Sequence, residues 1–421
     1  MKLQLLARSL LATAALAVPH GSSSLPARRD DGGSITRILL SGPGGVMLAT
    51  VAANGTGIDI RARHNATAGT DPSWVVFRAP DAVFAVDENG AELSALKVDL
   101  QAFSIAPASK FAGSPGIVHL ALARDGKRLL GAAYGNGSVD AWDVENPAAV
   151  KKLAHVALTG KPGPNKERQA ASHPHQVVLD SAGRYAAVPD LGYDAVHIID
   201  AGDDAFKVVN SVAVEPAGCG PRHAVFYPPT PANATHLIVL CEIANLINVY
   251  SVLRDADAGA KGLDLRLVQS VSSFGPGVPH PKAAAGEIAL GPGGKDVYVS
   301  NRLTEDKVDH IAHFRVGNNG TAACDPKKGD AKKGKTRRRR SAAAGFGLQF
   351  VGQQPCQGTN PRMFSLTADG ALVFVANGKG EAGISGLERN KDTGVLGPAP
   401  LWSIPMTTFG ENGPQYVQQI Q

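Results

Sequence analysis

Four stretches of this chain repeat one pattern in one phase: LALARDGKRLL from Leu120, VVLDSAGRYAAV from Val177, IALGPGGKDVYV from Ile288 and FSLTADGALVFV from Phe364. In each, the first apolar residue stands six positions before a glycine: Gly126, Gly183, Gly294 or Gly370. Alternation before the glycine predicts a strand, the glycine supplies a turn with positive φ, and the run after it predicts the antiparallel partner. A third strand follows in SVDAWDV (138–144), AVHIID (195–200) and INVYSV (247–252). Weaker copies begin at Ile35, Trp74 and Pro221, making about seven units. A sheet of three or four strands cannot bury both its faces alone, so such units must stack on one another around an axis. The expected fold is all-β, a seven-bladed β-propeller. Two packed β-sandwiches are the alternative, but they leave the fixed strand–glycine–strand phase unexplained. The 48 glycines and 28 prolines suit a chain of many tight turns.

In a propeller the innermost strand of every blade runs along a central channel, so equivalent positions of different blades meet. Eight residues before the turn glycine stand His175 and Arg362, and Arg222 holds the matching place in its own unit. Seven residues after the glycine stand Asp190, Asn301 and Asn377; Arg302 follows Asn301, and Glu242 ends the second strand of its unit. One polar cluster at a channel mouth is therefore predicted. Its candidate catalytic residues are His175, Arg222, Glu242 and Arg302. Arg362, Asp190, Asn301 and Asn377 are its candidate substrate-binding residues. Asp and Asn at strand ends also bond loop backbones, the preferred reading for Asp190, Asn301 and Asn377. Arginines facing a channel suit a carboxylate or phosphate, whose geometry the guanidinium fork matches. His173 reads as structural, because Pro174 and strand alternation point its ring away from that of His175. No carboxylate or thiol completes a His-x-His metal pair, and no phosphate-cradling or dinucleotide motif stands out, so neither metal nor cofactor is expected.

The N-terminus, MKLQLLARSLLATAALAVPHG, reads as a secretory signal peptide over 1–17. A linker over 18–33 follows, with a dibasic Arg28-Arg29 pair that marks a propeptide end; the propeller is expected over 34–421. Five Asn-x-Ser/Thr sequons, at Asn54, Asn65, Asn136, Asn233 and Asn319, agree with a secreted, extracellular glycoprotein. In that compartment the four cysteines are expected to pair locally as Cys219–Cys241 and Cys324–Cys356. The net charge of +5 is concentrated. Residues 327–340, KKGDAKKGKTRRRR, carry net +8 and leave the remainder at −3, so a nucleic-acid partner is not expected. The tract reads as a surface insertion over about 325–345. No segment after the signal peptide reads as a membrane span, and a monomer is expected.

HPHQVVLDSAGRYAAVPDLGYDAV, GCGPRHAVFYP, CEIANLINVY, GEIALGPGGKDVYVSNR and NPRMFSLTADGALVFVAN occur in that order. They resemble the successive blade motifs of the seven-bladed lactonase family, which includes propeller-type 6-phosphogluconolactonase and fungal 3-carboxy-cis,cis-muconate cyclase. The resemblance runs from about residue 34 to 400. It implies a cofactor-free site of one His, two Arg and one Glu, which fall on His175, Arg222, Glu242 and Arg302, and a small anionic lactone or carboxylate as substrate. For hydrolysis, His175 serves as general base, Glu242 orients it, and the arginines hold an anionic group and the developing oxyanion. For cyclisation of a muconate, the same arginines stabilise an enolate and His175 or Glu242 donates a proton. Both directions remain open, as does a non-catalytic propeller glycoprotein acting as an adhesin or binding surface.

Overall fold

The computed structural model describes residues 36–52, 57–65, 67–229, 233–254, 262–277, 281–319, 345–410 and 413–421. The expected signal peptide and linker, the tract 327–340, Asn54 and Cys324 lie outside them. Among the described residues, the strands pair into seven antiparallel sheets of four. Neighbouring sheets touch through their first strands near the axis and through their fourth strands at the rim, so the architecture is a seven-bladed propeller.

Blades two to seven begin with the innermost strands Val75–Arg78, Ile117–Leu122, Val178–Leu179, Pro221–Tyr227, Ala284–Leu290 and Thr359–Leu366. Blade one closes the ring. Its inner strand, Tyr416–Gln419, comes from the end of the chain and pairs with Arg37–Gly42, so that Ser41 faces Tyr416 and Ile38 faces Gln419. The weak copy read from Ile35 is thus the second and third strands of a blade, whereas the strong copies are first and second strands. The turn glycines behave as their spacing requires: Gly126, Gly183, Gly294 and Gly370 have φ of 66, 73, 68 and 66°, a region costly for residues with a Cβ.

Alternation along each strand feeds two interfaces. Leu237 and Val239 of blade five pack with Val196 and Ile198 of blade four. Ile238 and Leu240 face the other way and pack with Val297 and Val299 of blade six. Each such burial contributes roughly 1.5–3 kcal/mol, and the interfaces rather than single sheets hold the ring.

One irregularity repeats. The inner strands of blades three, five, six and seven slip register by one residue, between Ile117 and His119, Pro221 and His223, Ala285 and Ile288, and Pro361 and Met363. Blade four slips likewise between the Pro174–Asp190 bridge and the Val178–Ala187 pair. Such bulges bend the strand and re-aim its side chains. They sit at the end of the ring where inner strands start and second strands finish. Asn319 and Gly345, the strand ends flanking the basic tract, lie at the opposite end.

Cys219 and Cys241 form a disulfide with Cα atoms 5.2 Å apart. Cys356 is a free, fully buried thiol whose Sγ donates to the Asp309 carbonyl at 3.1 Å, and its expected partner, Cys324, lies outside the described residues. Burial pushes that thiol up to about 12. The sequon residues Asn65, Asn136 and Asn233 are exposed. Among the described residues no helix is long and apolar enough to cross a membrane.

Candidate active site

His175, Arg222, Glu242 and Arg302 come together from three blades at the bulged end of the ring. Glu242 follows directly on Cys241, and its amide donates to the Gly220 carbonyl at 2.8 Å. The disulfide therefore brackets both Glu242 and the start of the strand carrying Arg222. Three guanidinium groups close on the Glu242 carboxylate. Arg168 Nη2 reaches Oε1 at 2.5 Å, while Arg222 Nε and Arg302 Nη2 reach Oε2 at 2.8 and 2.9 Å. Burial alone would raise the Glu242 carboxyl, but Arg302, Arg222 and Arg168 outweigh it and hold it at about 2. Glu242 is therefore ionised at neutral pH and engaged by arginines, and the contact with His175 expected of it is made by His223 instead.

Three cations around one anion leave an excess of positive charge in a buried setting. Burial and then Arg302 push the Arg222 guanidinium down to about 9, with Glu242 opposing; it stays protonated at neutral pH. Its Nη1 donates to the Gly286 carbonyl at 2.6 Å, while Arg222 Nε and Arg302 Nε are buried without an aligned hydrogen-bond acceptor. Buried guanidinium groups that outnumber their carboxylate suit an incoming anion or a developing oxyanion.

The partner of His175 is another histidine. His175 Nδ1 lies 3.2 Å from His223 Nε2, and His223 Nδ1 lies 2.8 Å from Glu287 Oε1. All three residues are buried. Burial and Arg222 hold both imidazoles well below their ordinary range, so both are neutral. Around them stand Trp74, His119, Tyr134 and Tyr416. The Trp74 ring is 4.3 Å from His119 and 5.1 Å from Tyr416, and His119 is 5.7 Å from His223. Tyr134 stacks on His173 at 4.4 Å and meets His175 edge-on at 5.6 Å. His173 Nδ1 is bonded to the Tyr134 carbonyl. Among the described residues no group of three or more His, Cys, Asp or Glu side chains is arranged to hold a metal ion.

The candidate substrate-binding residues separate from this cluster. The buried Asp190 carboxylate accepts from Ser172 Oγ, the amides of His173, Gly192 and Tyr193, and His197 Nε2. A carboxylate offers about four lone-pair sites, so Asp190 has none left for a ligand. Asn301 is spent on the hydroxyl and carbonyl of Ser273, and Asn377 Nδ2 on the Cys356 carbonyl and Ser385 Oγ. All three pin loops. Arg362 lies nearer: it pairs with Glu88 at 3.0 Å and its charge acts on His175, Arg222 and Arg302. It also lines a cavity of about 490 Å³ with Asp71, Asn89, Asn360, Lys379 and Gln415. Burial and then Glu88 push the Asp71 carboxyl there up to about 6.

Over residues 33–324 and 340–403 the sequence matches the family described as Lactonase, 7-bladed beta-propeller. The chain belongs to the seven-bladed propeller lactonase family. A protein of Arthroderma benhamiae named "Probable 6-phosphogluconolactonase" is 30% identical over 267 residues, which cover 62% of this chain and 64% of that protein. A 6-phosphogluconolactonase of Formosa agariphila is 22% identical over 324 residues, 76% of each chain. The fold is shared with the periplasmic gluconolactonase of Pseudomonas aeruginosa, at a TM-score of 0.71 and 20% identity over 92% of this chain and 99% of that one.

Within this member of the lactonase family, several residues of the cluster escape a reading by repeat phase alone: His119, His223, Glu287, Trp74, Tyr134, Tyr416 and Arg168. The first three share a signal. His119 and Glu287 stand seven residues before their turn glycines, and His223 directly follows Arg222, one place beyond the position that selected His175. The bulges turn both of these consecutive positions toward the cluster. Arg168 comes from the loop into blade four, held by Gln169, whose Nε2 donates to the Leu191 carbonyl and Asp194. No repeat signal marks it.

Proposed function

We propose that this chain hydrolyses a small lactone carrying an anionic group. The observation that carries this reading is a neutral imidazole beside guanidinium groups that outnumber their carboxylate. His175 takes a proton from water as the water adds to the lactone carbonyl. Arg222 and Arg302 hold the anionic group and the developing oxyanion, a contribution of several kcal/mol where such donors are preorganised. Glu242 bridges the two arginines through its Oε2 and holds them in place against their mutual repulsion. The names of the curated relatives agree with lactone hydrolysis, and the family likeness covers most of the chain.

The purified chain should release protons from members of a panel of sugar lactones and aromatic-derived lactones. His175→Ala should lose that turnover while remaining folded. Equal turnover by His175→Ala would reject this assignment. Export of the chain is part of the proposal. It is supported by the Cys219–Cys241 disulfide and by exposed sequon asparagines. A gel shift of the chain secreted from its native host on enzymatic deglycosylation tests it; a cytosolic, unshifted chain would reject it.

A further inference from the structure

We propose that His175, His223 and Glu287 form one proton relay, in which a proton taken from water at His175 Nε2 is stored on Glu287. This rests on His175 acting as the base in lactone hydrolysis. The path is continuous, with contacts of 3.2 Å from His175 Nδ1 to His223 Nε2 and 2.8 Å from His223 Nδ1 to Glu287 Oε1. It crosses three blades, and each member sits on or beside a bulged inner strand. Because His223 occupies Nδ1 of His175, only Nε2 is left to meet water or substrate.

The relay has two neutral-ring arrangements. With Glu287 ionised, His223 holds its proton on Nδ1 and donates to the carboxylate. His175 then holds its proton on Nδ1 and presents a bare Nε2, a base. With Glu287 protonated, it donates to His223 Nδ1, His223 donates from Nε2, and His175 presents an Nε2–H, an acid. Taking up one proton at His175 Nε2 while one proton moves along each contact converts the first into the second, and releasing it from Nε2 with the reverse shifts restores the first.

The electrostatics explain why a lone histidine is insufficient. An imidazolium at His175 would be buried and repelled by Arg222, Arg362 and Arg302. Passing the charge on leaves a neutral carboxylic acid in place of that buried cation. Glu287 suits the task because one oxygen, Oε2, is buried with no hydrogen-bond partner, which disfavours the ionised form. Burial pushes its carboxyl up to about 8, while Arg222, the Ile288 amide and Arg302 pull against it. The groups facing the pair are Arg222 beside His223 on the same strand, Arg302 on the neighbouring strand, Glu242 and Arg362, whose charges act on His223 in opposite senses, Tyr416 on the closing strand, and Trp74 and His119 against the His223 ring.

The cycle balances. Water adds to the carbonyl carbon, its proton goes to His175 Nε2, and the shift ends with Glu287 protonated. The ring C–O bond of the tetrahedral intermediate then breaks. Its departing alkoxide oxygen takes the proton from His175 Nε2, and the reverse shift restores ionised Glu287.

The test is the pH dependence of kcat for 6-phosphoglucono-δ-lactone, a lactone that carries an anionic group, followed by proton release with the uncatalysed rate subtracted. The relay predicts a rising limb centred near the Glu287 value of about 8, above the ~6.5 of an ordinary imidazole. Glu287→Gln, which holds His223 but cannot take its proton, should lower kcat by about 100-fold, leave KM unchanged and abolish that limb. Glu287→Asp should restore part of kcat and bring a rising limb back. As a readout independent of variants, ¹⁵N spectra of the wild-type histidines should show the protons of His175 and His223 exchanging ring positions with a midpoint near that same pH. Wild-type kcat and an unchanged limb in Glu287→Gln, with His175→Ala inactive, would overturn the relay alone; so would ring tautomers constant through the titration. An active His175→Ala would instead overturn the hydrolytic reading on which the relay rests.

Discussion

Replacing Glu242 by glutamine removes the carboxylate that Arg168, Arg222 and Arg302 share, while keeping the size and shape of the side chain. The stability at stake follows from the carboxyl itself, held at about 2 in the folded chain against 4.5 for the free side chain. At about 1.4 kcal/mol per tenfold change, that difference is roughly 3 kcal/mol. It agrees with the ~3–5 kcal/mol typical of breaking a buried ion pair. The sign is fixed by linkage: a depressed carboxyl stabilises the fold fully above its unfolded value, and the stabilisation is lost as pH falls toward its folded value. Glu242→Gln should therefore cost roughly 3 kcal/mol at pH 7, and the gap to wild type should narrow to roughly half that near pH 3. Urea unfolding followed by tryptophan fluorescence measures both, Trp74 being a reporter beside the cluster. A gap below about 1 kcal/mol at pH 7, or one equally large at both pH values, would refute the claim that the three arginines hold this carboxylate ionised.

Three further outcomes follow from local geometry. A Cβ on Gly286 would lie 2.5 Å from Ser300 Oγ, 3.0 Å from Arg302 Cδ and 3.0 Å from the Pro361 carbonyl, so Gly286→Ala should displace Arg302. The loss of about one charged hydrogen bond should raise KM roughly tenfold in steady-state assays. The Cys219–Cys241 bond spans a sequence separation of 22, and Cys219→Ser with Cys241→Ser should cost roughly 3 kcal/mol in urea unfolding. It should also lower kcat/KM, because Glu242 and Arg222 are anchored beside the bond. Asp190→Asn should lower the melting temperature, through a carboxylate that loses acceptor capacity for five donors, yet leave KM unchanged. A raised KM at full stability would restore Asp190 to the binding site.

The propeller was legible because each blade repeats a steric requirement. A tight turn needing positive φ forces glycine at Gly126, Gly183, Gly294 and Gly370, and an inter-blade core forces alternation on either side. The closing blade was less legible for a topological reason. Its inner strand, Tyr416–Gln419, is joined to Arg37–Gly42 by hydrogen bonds and not by a turn, so no local pattern announces it. Cysteine spacing carries no information on surroundings: Cys356 lies fully buried, with its Sγ donating to the Asp309 carbonyl.

The site was half legible, and the bulges explain which half. Strict alternation sends consecutive residues to opposite faces, so once Arg222 is placed in the channel, His223 belongs to the core. A one-residue slip between Pro221 and His223 cancels that rule at the point where it matters. Both side chains then reach the cluster, Arg222 meeting Glu242 and His223 meeting Glu287. The same slip lies between Ala285 and Ile288, and there it turns Glu287 toward His223 while Gly286, with no side chain, leaves room for Arg302. Two neighbouring blades thus spend one extra residue each to bring a polar pair where a regular strand would bring a single side chain. A bulge unpairs backbone groups, and in blade five its neighbour answers that cost: the buried Gly286 carbonyl takes Arg222 Nη1 at 2.6 Å. The irregularity that hides half the site from a period-two reading therefore also supplies the acceptor that fixes Arg222.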